Sequence, residues 1–226
     1  VRNNDPGVCG ANVTFLIIAN DNCPGITVLQ SHQSGHFFPI GTTTVTATAT
    51  DNVGNSVECS FTVTVTDIEA PAMPVLPELS SECEVIVTPP TTTDNCAGTV
   101  TGETTDPLVY NIQGTYTIDW TFSDGNGNTT TAQQTVIIDD NLAPEVTCSA
   151  DIVVDNDPGQ CGAIVNFPDA VVVDNCSATN IEYSHNPGDF FPVGTTTVTV
   201  WVTDGADNTA ECTFDITVND VQAPVP

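Results

Sequence analysis

Carboxylates and thiols supply almost all the reactive side chains of this chain of 226 residues, with 29 Asp and Glu and 9 Cys against a single base, Arg2, and no Lys. Their spacing is ordered. The pentapeptide Asp-x-x-Ala-Pro occurs at residues 67–71, 140–144 and 220–224, with starts 73 and then 80 residues apart. Each copy ends a run of alternating apolar residues, so it marks the joint between repeats of a tandem array. Carboxylates gathered at such joints are hard oxygen ligands of the kind that hold Ca2+. The plainer alternative is a solvated acidic surface that confers solubility and mutual repulsion. At this level both readings stand.

The same inventory excludes several functions. Binding of nucleic acid phosphates needs clustered cations, and a formal net charge of −28 removes that partner. Zinc finds neither a Cys-x-x-Cys pair nor His at ligand spacing. His32 and His185 recur at one place in the repeat, each after a serine, which suits a structural edge. With no nucleophile and third partner beside them a hydrolytic triad is unsupported, and the chain reads as no enzyme. Without Lys, Lys–Asn isopeptide cross-links cannot form. The longest apolar run, residues 15–19, has 5 residues where about 20 are needed to cross a bilayer, so membrane insertion is not expected. No leader is recognisable, and the first repeat opens at its second strand. The expectation is a segment of a longer secreted polypeptide.

Stepwise alternation identifies the elements that position these groups. Val198, Val200 and Val202 face one way and Thr197, Thr199, Trp201 and Thr203 the other, the period of a half-buried strand. Val45, Ala47 and Ala49 repeat the pattern, as do Ile118, Trp120 and Phe122. The closing strands follow suit through Cys59, Phe61, Val63 and Val65 and through Cys212, Phe214, Ile216 and Val218. Thr on the outer face fits a pleated surface. No segment carries a helical period, and short strands with frequent turn signals read as a β-sandwich. The expected repeats are 1–69, 70–142 and 143–226. Units this small need staples, and cysteines in small domains point to an oxidising, extracytoplasmic setting.

The third repeat has four cysteines, Cys148, Cys161, Cys176 and Cys212; the first keeps the last three as Cys9, Cys23 and Cys59, and the second keeps only Cys83 and Cys96. Joint loss of the first and fourth, with joint retention of the second and third, predicts Cys148–Cys212, Cys161–Cys176, Cys83–Cys96 and Cys9–Cys23. Cys59 is then left for a strand outside the chain. There is a geometric difficulty. The 15 residues from Cys161 to Cys176 span about 50 Å when extended, whereas a disulfide needs Cα atoms within about 7 Å. The chain after Phe167 must fold back, with Pro168 and Asp174-Asn175 as turn formers. Each closed loop would contribute roughly 3 kcal/mol.

The string Asp-Asn-Cys, then Phe-Phe-Pro-(Ile/Val)-Gly-Thr-Thr-Thr-Val-Thr, then Thr-Asp-x-x-x-Asn, then Glu-Cys-x-Phe-x-(Ile/Val)-Thr-Val resembles the hyalin repeat, or HYR, domain. The first repeat carries it at residues 21–23, 37–46, 50–55 and 58–65, and the third at 174–176, 190–199, 203–208 and 211–218. The second departs from it, with Tyr110-Asn111-Ile112-Gln113-Gly114 in place of Phe-Phe-Pro-x-Gly, and is similar to repeats that alternate with HYR domains in giant surface proteins of gliding, Bacteroidota-type bacteria. The resemblance implies an all-β chain of tandem immunoglobulin-like β-sandwich repeats, stapled by disulfides, with a part in adhesion or extracellular architecture and no catalytic residues.

The joints also resemble the Asp-rich linkers of cadherins, which hold calcium between domains. In an immunoglobulin-like array the end of one repeat meets the last turn of the next. Asp67 and Glu69 are therefore expected near Asp124, Asn126 and Asn128, and Asp139 and Asp140 near Asp204 and Asp207, with Ca2+ as candidate cofactor. The alternative is that these Asp residues end strands which Pro then stops. The turn at residues 124–128 starts like an EF-hand loop, but Thr135 stands where the twelfth-position Glu is required, so it reads as a hairpin turn. Asp21, Asp94 and Asp174 read chiefly as turn residues of Asp-Asn-Cys. Asn12 and Asn128 fit the N-glycosylation pattern. Trp201, on the outer face, is a candidate for stacking on a sugar or a neighbouring chain, with cover by a loop as the alternative. Two functions follow. One is a structural or adhesive segment of a long cell-surface adhesin or extracellular filament, contacting adjacent repeats and capable of self-association into fibres. The other is a glycan- or protein-binding module of a secreted protein.

Overall fold

A computed structural model describes residues 1–176 and 179–224. Every regular element among them is a β-strand, and no helix is long and apolar enough to cross a membrane. By internal contacts the chain forms two compact units. Unit 1 comprises Val1–Pro77, Thr88–Pro107 and Thr117–Gln134, and unit 2 comprises Glu78–Val87, Leu108–Tyr116 and Thr135–Pro226. Residues 70–142 are thus divided between the two units.

Unit 1 is built on a sheet in the order Arg2–Asn3, Ser56–Thr66, Gly41–Thr50, Thr27–Gln30. Its centre is the antiparallel hairpin that pairs Gly41 with Val65 and Thr50 with Ser56. The outer strand Arg2–Asn3 pairs in parallel, Arg2 opposite Val65. Gly10–Val13 and His36–Pro39 form a second, smaller layer. Ala11 and Phe38 of that layer pack on Val45, Val63 and Val65 of the large sheet, which makes the unit a sandwich. Phe38 and Val45 are fully buried. Each such side chain contributes about 1.5–3 kcal/mol when removed from water. Unit 1 also holds the hairpin of Thr91–Asp94 and Gly98–Thr101. Beside it Gly102 meets the Phe122 and Trp120 rings so closely that a β-carbon would stand 2.9 Å from Phe122, so only Gly fits.

Unit 2 repeats the plan: Ile152–Asp155, Thr209–Asn219, Gly194–Thr203 and Asn180–Tyr183 in one sheet, with Gly162–Ile164 paired to Phe190–Pro192 and Glu145–Thr147 paired to Val171–Val173 facing it. The core joins Ala163, Val165, Phe167 and Phe191 to Val198, Val200, Val202, Phe214, Ile216 and Val218. The alternation in this long strand is therefore realised as written, with Val198, Val200 and Val202 all at 0% exposure and the intervening Thr199 and Trp201 outside the core. Leu79–Ser81 also lies in this unit and pairs in parallel with Val136–Ile138. The fold is all-β, an immunoglobulin-like sandwich architecture stapled by disulfides.

Candidate joint sites

Three turn types meet at each joint. In unit 1, Asp67 follows the strand Ser56–Thr66 and is 4% exposed. Its Oδ2 accepts from Asn126 Nδ2 at 3.1 Å, its Oδ1 from the Glu69 amide at 3.1 Å, and its carbonyl from Asn128 Nδ2 at 3.4 Å. Asp124 ends the strand Gly114–Ser123 and folds its own turn. Its Oδ1 accepts the backbone amides of Asn126, Gly127 and Asn128 at 2.8, 3.1 and 3.0 Å, and its Oδ2 accepts Asn128 Nδ2. Asp94 closes the strand Thr91–Asp94. Its Oδ1 accepts the amides of Cys96 and Ala97 at 2.7 and 2.8 Å, while its Oδ2 is buried and accepts no hydrogen bond. Carboxylate oxygens of Asp67 and Asp94 and the sulfur of Cys96 lie within 4.8 Å of one another.

Unit 2 contains the corresponding turns, with three carboxylates in the close group where unit 1 has two and a sulfur. Asp140, Asp174 and Asp204 bring carboxylate oxygens within 4.8 Å of one another. Asp140 Oδ1 accepts from Leu142 N and Asn175 Nδ2 at 3.1 and 3.2 Å, and its carbonyl from Asn208 Nδ2 at 3.0 Å. Asp204 Oδ1 takes the amides of Ala206 and Asn208, both at 2.8 Å, and its Oδ2 takes Asn208 Nδ2 at 2.9 Å. Burial pushes the carboxyls of Asp124 and Asp204 up, but the asparagine and amide donors outweigh it and leave both below the usual carboxylate value of 3.8. Asp124 and Asp204 are therefore ionised at neutral pH. The chain's single base, Arg2, pairs with Asp5 at 3.2 Å and neutralises neither.

Of the expected ligands, Asp67, Asp124, Asn126 and Asn128 come together in unit 1, and Asp140 and Asp204 in unit 2. Glu69, Asp139 and Asp207 do not join them. Glu69 is an anchor: its Oε2 accepts from Asn4 Nδ2, the Gly7 amide and Asn95 Nδ2 at 2.8, 2.9 and 2.7 Å. Asp139 bonds Asn141 at 3.0 Å. Asp207 is exposed in the turn at φ 68°. Asp94 and Asp174 do cap the Asp-Asn-Cys turns as expected, yet they also face the joint carboxylates, as does Asn208 of unit 2. The signal for them was available: Asp-Asn-Cys recurs at one phase of the repeat, once per joint.

The disulfides correct the expected pairing. Cys148–Cys212 forms as expected, with Cα atoms 5.8 Å apart. Cys9 bonds Cys96 rather than Cys23, and Cys83 bonds Cys176 rather than Cys96, with Cα separations of 4.8 and 5.0 Å. Cys161, expected with Cys176, is free, as are Cys23 and Cys59, and all three are exposed. The physical reason lies in the strands after Cys9 and Cys161. Gly10–Val13 and Gly162–Ile164 run extended at about 3.3 Å per residue and carry the next cysteine away. Glu69, by contrast, gathers the turn of Gly7 and the turn of Asn95 onto one carboxylate. The Cys-Gly dipeptide has its own cause: a β-carbon on Gly10 or Gly162 would overlap the backbone carbonyl of Phe38 or Phe191 in the paired strand.

The remaining sites are placed as follows. Trp201 is 44% exposed and stands between Glu182 and Glu211 in register. Asn12 is exposed on a strand, whereas the Asn128 amide is engaged by Asp124 and Asp67. His32 and His185 each sit 3.1 Å from the preceding serine hydroxyl, with ring centroids 5.4 Å from Phe38 and Phe191. Those serine oxygens also accept the amides of Thr46 and Thr199, so the Ser-His pair is a strand-locking device.

Comparison with known proteins identifies a family for two stretches of the chain. The HYR domain model matches residues 1–65 and 139–218. A hyalin of Lytechinus variegatus is 33% identical over 92% of this chain and 42% of its own length, and a hyalin of Strongylocentrotus purpuratus is 34% identical over 97% of this chain and 20% of its own. The chain thus spans less than half of either relative. These relatives are animal proteins, so the bacterial setting implied by the sequence resemblance finds no support. Likeness to Sidekick-1 immunoglobulin domains 1-5 is slight, with 12% identity and a TM-score of 0.41 over 96% of this chain and 57% of that one. The chain belongs to the HYR domain family.

Proposed function

We propose that the chain is a structural and adhesive segment of a longer extracellular repeat protein, with disulfide-stapled repeats and joints made rigid by Ca2+. The observation that carries this is the recurrence of one joint: carboxylate oxygens of Asp67 and Asp94 lie within 4.8 Å of each other, as do those of Asp140, Asp174 and Asp204, and the Asp124 turn meets Asp67 through Asn126 and Asn128. The donor set fits a hard cation. It offers carboxylate oxygens that the protein leaves without a neutralising base, including the buried Oδ2 of Asp94, and backbone carbonyls at residues 67 and 140. Rotation of the Asn126 or Asn208 amide would add a further oxygen. Cys96 is spent in a disulfide and supplies no ligand. A bound divalent ion would convert carboxylate repulsion into a clamp between turns. The hyalin relatives and the three disulfides support an extracellular role.

Calorimetric melting in calcium and in chelator tests the reading. Extracellular calcium modules work at about 10⁻⁴–10⁻³ M, and a tenfold excess over Kd adds about 1.4 kcal/mol per site. That corresponds to a rise of about 3–6 °C in Tm per site. The rise should vanish in D67N/D140N. An unchanged Tm in the native chain would sink the calcium joint.

A second reading rests on Trp201, whose exposed ring between two glutamates is a platform for a sugar face or a partner chain. Quenching or a blue shift of tryptophan fluorescence on addition of an oligosaccharide series, lost in W201A, would favour it.

A further inference from the structure

Each bond between distant turns has two halves. One half is the cysteine ending a turn that is locked to the joint; the other is the cysteine of Asp-Asn-Cys. Cys9–Cys96 is the fullest example. Its first half is the sequence Asp5-Pro6-Gly7-Val8-Cys9-Gly10, and the same turn recurs as Asp157-Pro158-Gly159-Gln160-Cys161-Gly162. Bond for bond the two are built alike. Asn4 Nδ2 donates to the Val8 carbonyl at 3.2 Å and Asn156 Nδ2 to the Gln160 carbonyl at 2.8 Å. The Oδ1 atoms of Asn4 and Asn156 accept the amides of Ile68 and Val221, both at 3.1 Å. The Gly7 amide donates to Glu69 and the Gly159 amide to Gln222, at 2.9 and 3.0 Å. The surroundings of Cys161 thus reproduce those of Cys9, including the joint segment seated against the turn, but Cys161 is an exposed free thiol.

The other half is open on Cys23. Asp21-Asn22-Cys23 has the sequence of Asp94-Asn95-Cys96 and Asp174-Asn175-Cys176, whose cysteines are both bonded to an earlier turn. In the same repeat Asp51 is set as Asp124 and Asp204 are set. Its Oδ1 accepts the amides of Val53 and Asn55, both at 2.9 Å, and its Oδ2 accepts Asn55 Nδ2 at 2.8 Å. The third member, a joint Asp from an earlier repeat, is what Asp21 and Asp51 lack among the described residues. The same residue types are therefore bonded twice in this structure and stand open once at each half.

We propose that Cys161 and Cys23 are the covalent attachment points of further repeats of the same kind. Cys161 takes the Asp-Asn-Cys cysteine of the repeat that follows along the polypeptide, and Cys23 is bonded by the joint-turn cysteine of the repeat before it. The hyalin relatives, of which this chain spans 42% and 20%, have the length to supply such repeats. Consecutive repeats are thereby joined twice, through the backbone and through sulfur. Closure is thiol–disulfide exchange: the thiolate of one cysteine attacks oxidised glutathione, and the second thiolate displaces glutathione from the mixed disulfide. Two thiols lose two protons and two electrons, and one oxidised glutathione becomes two reduced molecules. The inference shares with the proposed function only the need for a longer chain; it is read by counting thiols, whereas the calcium joint is read by melting.

The test lengthens the chain. Residues 1–224 are followed directly by a second copy of residues 145–226, so that the joint at 220–224 leads into a repeat as the joint at 140–144 does. The appended copy carries C161S. After refolding in a glutathione redox buffer, free thiols are alkylated and the intact mass is measured. The parent chain, with Cys23, Cys59 and Cys161 free, takes three adducts. The lengthened chain takes two if Cys161 bonds the appended copy of Cys176, and four if it does not. Introducing C161S into the first copy as well should raise the count from two to three, because the appended Cys176 loses its partner. A count of four with the appended Cys148 and Cys212 still bonded, which shows that the appended repeat has folded, would overturn the proposal. So would disulfide-linked dimers of the parent chain with a monomeric lengthened chain that keeps four thiols.

Discussion

Cys9 and Cys96 are 87 residues apart in the chain and 4.8 Å apart at their Cα atoms. Glu69 lies beside the bond and accepts the amide of Gly7 and the side chain of Asn95. A covalent bond and a carboxylate anchor therefore hold the same two turns together, and the acidic joint is the place where the two kinds of staple coincide.

Loss of that bond should be costly and specific. Closing a loop of this length is worth about 4–5 kcal/mol in the chain-entropy model. C9S and C96S should each lower the urea-derived stability by up to that amount, and C9S/C96S should cost no more than either single change. C23S, at an exposed free thiol, should stay within about 0.5 kcal/mol of the parent. Equal losses in C9S and C23S would instead indicate the Cys9–Cys23 pairing.

Asp124 organises its turn through three backbone amides and one side-chain amide. Asp124→Ala leaves these donors without their acceptor and should cost about 1–3 kcal/mol, whereas Asp124→Asn, which keeps an acceptor oxygen, should cost less. Asp204→Ala acts in the same direction in unit 2. Thermal melts in chelator separate this turn effect from any effect of calcium.

The same carboxyls set an acid limit. Asp51, Asp124 and Asp204 are held below their ordinary value of 3.8: the Asn55 side chain leads at Asp51, and donor bonds outweigh burial at the other two. A depressed folded-state value means that the folded chain binds fewer protons than the unfolded one in this window. The stabilisation is therefore complete above the ordinary carboxylate value and is lost as pH falls from 3.8 through the depressed values. Tm against pH should fall most steeply there, and D51N/D124N/D204N should flatten that limb.

Trp120 and Gln134 form a buried polar pair in unit 1. The indole Nε1 donates to Gln134 Oε1 at 3.1 Å, and Gln134 Nε2 donates to the Pro77 carbonyl at 3.0 Å. Gln134→Leu strands both the indole donor and that carbonyl and should cost about 1–3 kcal/mol. The double variant W120F/Q134L, measured in a double-mutant cycle, should lose less than the sum of the single changes, because the stranded indole is gone.

Much of this architecture is legible in the residues in order. Val198, Val200 and Val202 alternate with the outward-facing Thr199 and Trp201 and are all fully buried, because successive side chains of a strand face opposite ways whatever the surroundings. The Asp-x-x-Ala-Pro period placed the joints, and Asp67 does meet Asn126 and Asn128. The sulfur pairing was not legible. Elimination across repeats treated each repeat as closed, and so assigned Cys9 to Cys23 and Cys83 to Cys96. A strand period says which face a side chain takes, but not which distant turn stands opposite its end. That is decided where turns are drawn together, here by Glu69 on Gly7 and Asn95 and by Asn175 on Asp140 and Glu82. The chain by itself determined its strands, its repeat period and its acidic joints, since these depend on local backbone geometry and side-chain alternation. Only the tertiary structure decided which cysteines bond and which carboxylates share a joint, because both depend on distances between residues that no local rule connects.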